Sequence, residues 1–575
     1  MLSKTKSRLK YAIGRIYLIA IVIVIIIIIA VGAYAAVSSG TTKTSSSSSM
    51  TTTASSYKNT IILGTTDSVQ TTIDPADEYD YFGGEMVNNL GAPLVDFAAG
   101  TNDTSPSALQ PALATSWSVS SDGLTYTFIL RSGVKYDDNT PFNATCVKYS
   151  FDRALQLNDP NGAWVGLGIA QIVKQVTVVN NTAVQFTLFA PWTPFLSFLT
   201  FSAAYIVDPA RAPMNEVVNY TTSSPQISNP NGLGPYTLTE WTRQGSSDTE
   251  MTLKANPNYF AAGTLPKTQT IIIKFYTSAT ALAAAVEAGD VDIAYRQFLS
   301  TDIKTMQTQY SSSLNVFSSP GAFIQYLVLN NNIAPFNNIY AREAIAAAIN
   351  RTDLIDTVFL GTASPLYSQV PLGMFSHIDA FKTMYGASPN TSLIQQLLGK
   401  AGYSASNPLS FNFYYETSGH YPQSPDQAQV IQSDLQKDSG GWIKVNLMGL
   451  TWASMHSTVA TGTTAQMFLY GWYPDFIDPY DYTFPFFNGA GNSWLHAGYN
   501  SSQMNELTNS ALTTSASAAG TLYGQIQTLQ AHDAPIVPLF QGGANCCGAV
   551  AKKSVSGVYL DVTLIFRLYM LREAS

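Results

Sequence analysis

From Ile16 to Val37 the chain reads IYLIAIVIVIIIIIAVGAYAAV, with no charged residue. A helix of about 20 apolar residues crosses the roughly 30 Å hydrocarbon core of a bilayer, so this run predicts one N-terminal transmembrane helix. Lys4, Lys6, Arg8, Lys10 and Arg15 precede it, and Lys43 is the first charge behind it. That asymmetry keeps residues 1–15 in the cytoplasm and sends the remainder outside. A cleaved secretory signal has an apolar core of only about 7–15 residues, so a retained anchor fits better. Late cleavage among Gly32, Ala33, Ala35 and Ala36, or an early cut near Ala12–Gly14, exports the same body.

Residues 38–56, SSGTTKTSSSSSMTTTASS, contain almost nothing to bury. They predict a Ser/Thr-rich flexible linker holding the body roughly 25 Å from the membrane on average.

The body is too long for one ordinary core, so more than one lobe is expected. Charged residues are 11% of the chain, with 29 Lys+Arg against 37 Asp+Glu; a typical soluble domain carries about 25%. Ser, Thr, Asn, Gln and Tyr supply polarity instead. Such a surface stays soluble where carboxylates would protonate, which suits an acidic exterior. A net acidic body without a basic stripe argues against nucleic acid as a partner. Asn-x-Ser/Thr triplets at Asn102, Asn143, Asn180, Asn219, Asn350, Asn390 and Asn500 make a glycoprotein plausible in an exported chain. The three cysteines, Cys146, Cys546 and Cys547, exclude a fully paired framework. Vicinal cysteines seldom bond to each other, so buried free thiols, or one bridge to Cys146, are expected. The five histidines lack zinc-site spacing, and no metal or cofactor is expected.

Pattern places strands and helices in alternation. Strand pairs are expected around Ser121-Asp122-Gly123 and Asn180-Asn181, at 236–241 with 249–254, and strands at Leu409–Tyr415 and Ile443–Leu447. Helices are expected at Phe82–Leu90, Val147–Leu155, Ala279–Glu287 (stopped by Gly289), Ala341–Ile349 and Ser424–Gln436. The mixture reads as an α/β fold.

Five stretches then act together. Leu109–Leu155 (LQPALATSWSVSSDGLTYTFILRSGVKYDDNTPFNATCVKYSFDRAL), Asn231–Trp241 (NGLGPYTLTEW), Ala279–Ile293 (ATALAAAVEAGDVDI), Ala341–Leu354 (AREAIAAAINRTDL) and Gly471–Pro479 (GWYPDFIDP) follow one another in order. The set resembles family 5 of the extracellular solute-binding proteins of ABC importers, the oligopeptide and dipeptide type, and spans nearly all of residues 57–560. The resemblance implies a two-lobed periplasmic-binding-protein-like fold with an extra insertion domain. It places the lobe I base at 57–95, 205–320 and 525–575, the insertion at 96–204, and lobe II at 321–524. It implies a monomeric, non-enzymatic receptor on the extracellular face of a single-pass anchor, delivering ligand to separate permease and ATPase subunits.

By the same resemblance Asp475 holds a peptide's terminal amine, Trp472 packs against ligand side chains, and Gly471 and Tyr473 flank them. A carboxylate in a water-poor cleft holds such an amine by charge-assisted hydrogen bonds. Asp478-Pro479 reads as a turn. Ala92 and Leu469 stand where related receptors carry charged residues, which leaves an oligosaccharide receptor as the alternative. Tyr470, Trp472, Tyr473, Tyr480, Tyr482 and Trp494 are the candidate stacking platforms for sugar rings. A surface-anchored hydrolase would need an acid–base couple such as Asp475/Asp478 or Asp137/Asp138. No Ser or Cys nucleophile motif and no H-E-x-x-H accompanies either pair.

Overall fold

The structure, a computed structural model, describes residues 57–219, 229–261, 266–319, 321–514, 516–543, 547–560 and 563–575. The apolar run at 16–37 and the 38–56 linker lie outside the described residues. Among the described residues no helix is long and apolar enough to cross a membrane.

The described residues fold around three sheets of four or more strands, with two further two-stranded sheets. A seven-stranded sheet runs in the order Leu314–Ser318, Gly548–Lys552, Ile293–Tyr295, Thr60–Thr65, Thr270–Phe275, Ser247–Ala255, Tyr236–Gln244. A six-stranded sheet runs Ala363–Pro365, Ile536–Gly542, Ile324–Leu329, Met467–Trp472, Leu409–Glu416, Ile443–Leu450. Inserted in sequence between strands Thr60–Thr65 and Tyr236–Gln244 of the seven-stranded sheet, Ala114–Val119, Thr125–Leu130, Ala183–Leu188 and Val173–Asn180 form a four-stranded antiparallel sheet. This is a mixed α/β architecture.

Local sequence explains most elements. Ile324–Leu329, IQYLVL, is buried at every position, as befits a central strand covered on both faces. The Ala279–Ala288 helix starts where the Ser278 side chain accepts from the Ala281 N–H, and stops at Gly289 with φ of 82°. Leu409–Glu416 and Ile443–Leu450 pair in parallel, joined by the Ser424–Asp438 helix, a βαβ unit. The expected hairpins at Ser121-Asp122-Gly123 and Asn180-Asn181 both form.

The motif residues turn out to hold the fold. Arg153 is 1% exposed and binds Asp74 through two parallel bonds of 2.8 and 2.6 Å, while its other donors reach the Pro213 and Glu216 carbonyls. Arg351 is buried too, donating to the Leu366 and Pro538 carbonyls; burial lowers its pKa to about 10. In Asn231–Trp241, a Cβ on Gly234 would lie 2.6 Å from the Gly91 nitrogen, so the turn packs backbone on backbone and only glycine fits.

The two large sheets share the late part of the chain. Ile536–Gly542 pairs antiparallel with Ile324–Leu329 in the six-stranded sheet, and the chain rejoins the seven-stranded sheet only from Gly548. Burial of all seven residues of Ile536–Gly542 explains why that strand lies inside a sheet. The cysteines differ from expectation: Cys146 is a buried free thiol, whereas Cys547 is disulfide-bonded, so Cys146 is not its partner. Among the described residues no cluster of three or more His, Cys, Asp or Glu side chains is arranged to hold a metal.

Candidate functional site

Strand Met467–Trp472 leaves the six-stranded sheet at Trp472, and the chain turns through Tyr473-Pro474-Asp475 into a short 3₁₀ helix at Pro479–Tyr482. Asp478 caps that helix: its Oδ1 accepts from the Tyr480 N–H at 2.9 Å and its Oδ2 from the Ser197 hydroxyl at 3.2 Å. It is therefore a turn former, as its Asp-Pro sequence predicts.

The turn delivers Tyr473 and Asp475 to the wall of a cavity of about 360 Å³, within the range that holds small-molecule ligands. The opposite walls come from the segment after the first strand (Asp67, Glu78, Tyr79, Tyr81) and from Arg296 and Arg567. The cavity thus lies where loops from both large sheets converge.

Asp475 is partly exposed and accepts the Tyr79 hydroxyl at 3.4 Å. Burial pushes its carboxyl up to about 7, against hydrogen bonds from the Asp481 side chain and Tyr79. Asp481 is 0% exposed. Its Oδ2 accepts the Asp475 backbone N–H and the Trp472 indole N–H, each at 3.0 Å. Burial, then the Asp475 charge, holds Asp481 well above the ordinary carboxylate range. Burial raises both carboxyls and the Asp475 charge adds to it at Asp481, so the two do not ionise together in the ordinary carboxylate range.

The other expected site residues sit apart from the cavity. The Trp472 ring packs on Phe486 and Trp494, at centroid distances of 5.2 and 5.5 Å. Gly471 remains in the strand, its carbonyl accepting from the Tyr421 hydroxyl at 3.2 Å. A Cβ there would come within 3.0 Å of the Phe323 ring, so glycine is needed for packing. Of the six aromatic platforms proposed for sugars, Tyr473 alone lines the cavity. Tyr470, Tyr480 and Tyr482 are buried in the core, away from the cavity lining. The residues standing at the departures from the receptor pattern, Ala92 and Leu469, are core side chains.

Neither supposed acid–base couple is assembled. Asp137 is tied to Arg211 at 2.5 Å, and Asp478 is spent on Ser197 and its own cap.

The segments distant in sequence supply what pattern reading missed. Arg296 lies over the Tyr81 ring at 3.9 Å; Tyr81 meets Tyr473 at 4.9 Å, and Tyr473 meets Phe323 at 4.5 Å. This cation–aromatic ladder joins the ends of the two large sheets along one cavity wall. Arg296 is also ion-paired to Asp67 at 2.5 Å and lies 3.5 Å from Glu85. Arg567 binds Asp96 at 2.7 and 3.2 Å. Burial pushes the carboxyls of both Glu78 and Glu85 up to about 8; the Asp80 charge adds to it at Glu78, while Arg296 opposes it at Glu85.

Known proteins share this architecture. The profile of the bacterial extracellular solute-binding proteins, family 5, middle region, matches residues 108–494. Heme-binding protein A of Haemophilus influenzae is 28% identical over 470 residues, covering 78% of this chain and 80% of that protein. A probable D,D-dipeptide-binding periplasmic protein of Escherichia coli is 28% identical over 492 residues, covering 84% and 89% respectively. The solved structure of an ABC transporter-associated periplasmic binding protein of Helicobacter pylori, in complex with the peptide STSA, superposes with a TM-score of 0.71. It is 23% identical and covers 90% of this chain and 99% of its own. A match across most of the body, on the motifs that build its sheets, assigns the chain: it belongs to family 5 of the extracellular solute-binding proteins, non-enzymatic substrate receptors of ABC transporters.

Proposed function

We propose that the protein captures peptides in the cavity beside Asp475 and passes them to an ABC importer. The observation that carries this reading is the Asp475 carboxyl, which lines the cavity with no ion pair to a cation among the described residues. An incoming α-ammonium group supplies the missing charge and the N–H donors. Tyr473 offers its ring to the first side chain. Trp472 and Gly471 act behind that surface, Trp472 by fixing Asp481. Relatives named as dipeptide- and glutathione-binding proteins agree in substrate class. A sugar ligand is the weaker reading, because one aromatic wall and a row of carboxyls suit ring stacking poorly.

In this reading the units built on the seven- and six-stranded sheets are the two lobes, with residues 114–188 in the insertion, and they close over ligand. The run Ile16–Val37 tethers the body, as a monomer, to the outer face of the membrane beside its permease. The tether replaces diffusional search by a high local concentration.

Calorimetry of the purified chain against di- to pentapeptides, cellodextrins and maltodextrins tests the ligand class. The expected outcome is micromolar or tighter peptide binding that Asp475→Asn weakens at least tenfold. Sugar binding that Asp475→Asn leaves untouched would overturn it. Retention of the chain in membranes after alkaline carbonate washing, lost on deletion of residues 1–37, tests the tether.

A further inference from the structure

Glu78 shares the cavity with Asp475, and among the described residues it forms no ion pair. It is 1% exposed; Oε1 accepts the Asp80 N–H at 2.9 Å and Oε2 the Ser202 hydroxyl at 2.6 Å. These neutral donors orient the carboxyl; burial and the Asp80 charge hold its pKa up to about 8, so without ligand it keeps a proton that an arriving cation displaces. The charged groups that act on it, Asp80 and Asp475, are both acidic. Asp80 is itself committed to the N–H groups of Gln70, Thr71 and Gly83, as the cap of the Tyr81–Leu90 helix.

The arginines lining the cavity are already engaged. Arg296 is bound between Asp67 and Glu85, and Arg567 is held by both oxygens of Asp96. His420, the remaining basic side chain of the lining, has its pKa lowered by burial. A ligand carboxylate would have to break one of these buried pairs and strand its partner, a costly exchange. It would also approach the carboxyls of Asp475, Glu78 and Asp80, which offer it no positive charge. The site gives an anion no free counter-charge, while two of its carboxyls can each ionise against a cation.

We infer that the cavity selects ligands carrying two cationic groups, an oligopeptide with a lysine or arginine side chain besides its terminal amine, and makes no use of the ligand's C-terminal carboxylate. Asp475 takes one cation and Glu78 the other. This rests on the receptor reading above for the first amine, and adds to it the charge of the rest of the ligand. None of the assignments for the first amine requires Glu78.

Calorimetry on the full chain tests it with tri-alanine, with the tripeptides bearing lysine at each position in turn, and with their C-terminal amides. The best lysine peptide is expected to bind at least tenfold tighter than tri-alanine, and amidation to change its Kd less than threefold. Glu78→Gln should bring the ratio of tri-alanine to lysine-peptide Kd values below three. Because both Kd values are read on the same protein, the ratio is indifferent to a general loss of folded material. The inference is overturned if tri-alanine binds as tightly as every lysine peptide, if amidation costs tenfold, or if Glu78→Gln retains the preference. Spermidine separates the two readings. Should no peptide bind while spermidine does, in a manner weakened by Glu78→Gln, the charge selection stands and the peptide reading falls. If none of these probes binds, both fall.

Discussion

The Asp481 carboxyl holds the Asp475 backbone N–H and the Trp472 indole N–H at 3.0 Å each, from a position with no solvent exposure. One buried acid thus sets the geometry of the turn that presents the other. Because burial and the Asp475 charge hold Asp481 well above the ordinary carboxylate range, an amide should replace it well. Asp481→Asn is expected to bind ligand within threefold of the unaltered protein. Asp481→Ala, which strands a buried indole N–H and frees the turn, should lose about 1–3 kcal/mol of stability and most of the affinity. Equal losses in the two variants, by calorimetry and thermal melting, would refute this expectation.

Ligand affinity should follow the Asp475 charge. Its pKa is raised to about 7, so below that value binding an ammonium group must first expel a proton. Affinity is expected to fall as pH drops from 7 to 5, approaching tenfold per unit. Asp475→Asn should flatten the profile.

Stability should run the other way. Glu78 and Glu85 are raised to about 8 and Asp434 to about 7, burial being the first cause in each. Their unfolded values lie near 4. A raised carboxyl binds more protons folded than unfolded, so its contribution is full below about pH 4 and is lost as pH climbs to about 8. The carboxyls lowered by local hydrogen bonds, Asp103 and Asp122, lie at the surface and offset little. The melting temperature should therefore be higher at pH 5 than at pH 8, by about 5 °C. A sparsely charged surface suits the same acidic range. Scanning calorimetry across pH 3–8 checks this, and a rise in melting temperature from pH 5 to 8 would contradict it.

Arg153→Met should be severe. The variant leaves Asp74 buried without its counter-charge, at a cost of about 3–5 kcal/mol. Arg153 joins the helix Ala144–Leu157 to the Asp74 turn and to the Pro213 and Glu216 carbonyls. Urea denaturation measures the loss; a change under 1 kcal/mol would show the pair to be dispensable.

Two glycine substitutions should have opposite signs. Gly234→Ala forces a methyl against the Gly91 backbone and should cost about 2 kcal/mol or more. Gly399, inside the Thr391–Lys400 helix, has nothing within 4 Å of its would-be Cβ. Gly399→Ala should stabilise by about 0.5–1 kcal/mol. Urea midpoints of the two variants decide the matter.

Much of the secondary structure is legible in the sequence because its causes are local. Alternation around Ser121-Asp122-Gly123, the Ser278 cap and the Gly289 stop need only neighbouring residues, and each appears where its pattern predicts. The Asp475 turn is legible as a motif, since Trp472, Asp475 and Asp481 lie within one short segment. Glu78, Arg296 and Arg567 were not, because nothing near them in the chain marks them as neighbours of that turn. Their grouping depends on contacts such as Arg567 with Asp96, 471 positions apart, and on which loops the sheets bring together.

The sequence alone therefore determined the family, the alternation of strands and helices, and the apolar run that precedes the body. The tertiary structure decided which motif residues are structural, that Trp472 and Gly471 lie behind the cavity wall, and that strand Ile536–Gly542 belongs to the six-stranded sheet. It also decided the charge of the cavity. A carboxyl's role depends on whether a guanidinium from elsewhere in the chain reaches it, and among the described residues long-range packing pairs Asp67 and Asp96 with arginines while Glu78 and Asp475 pair with none.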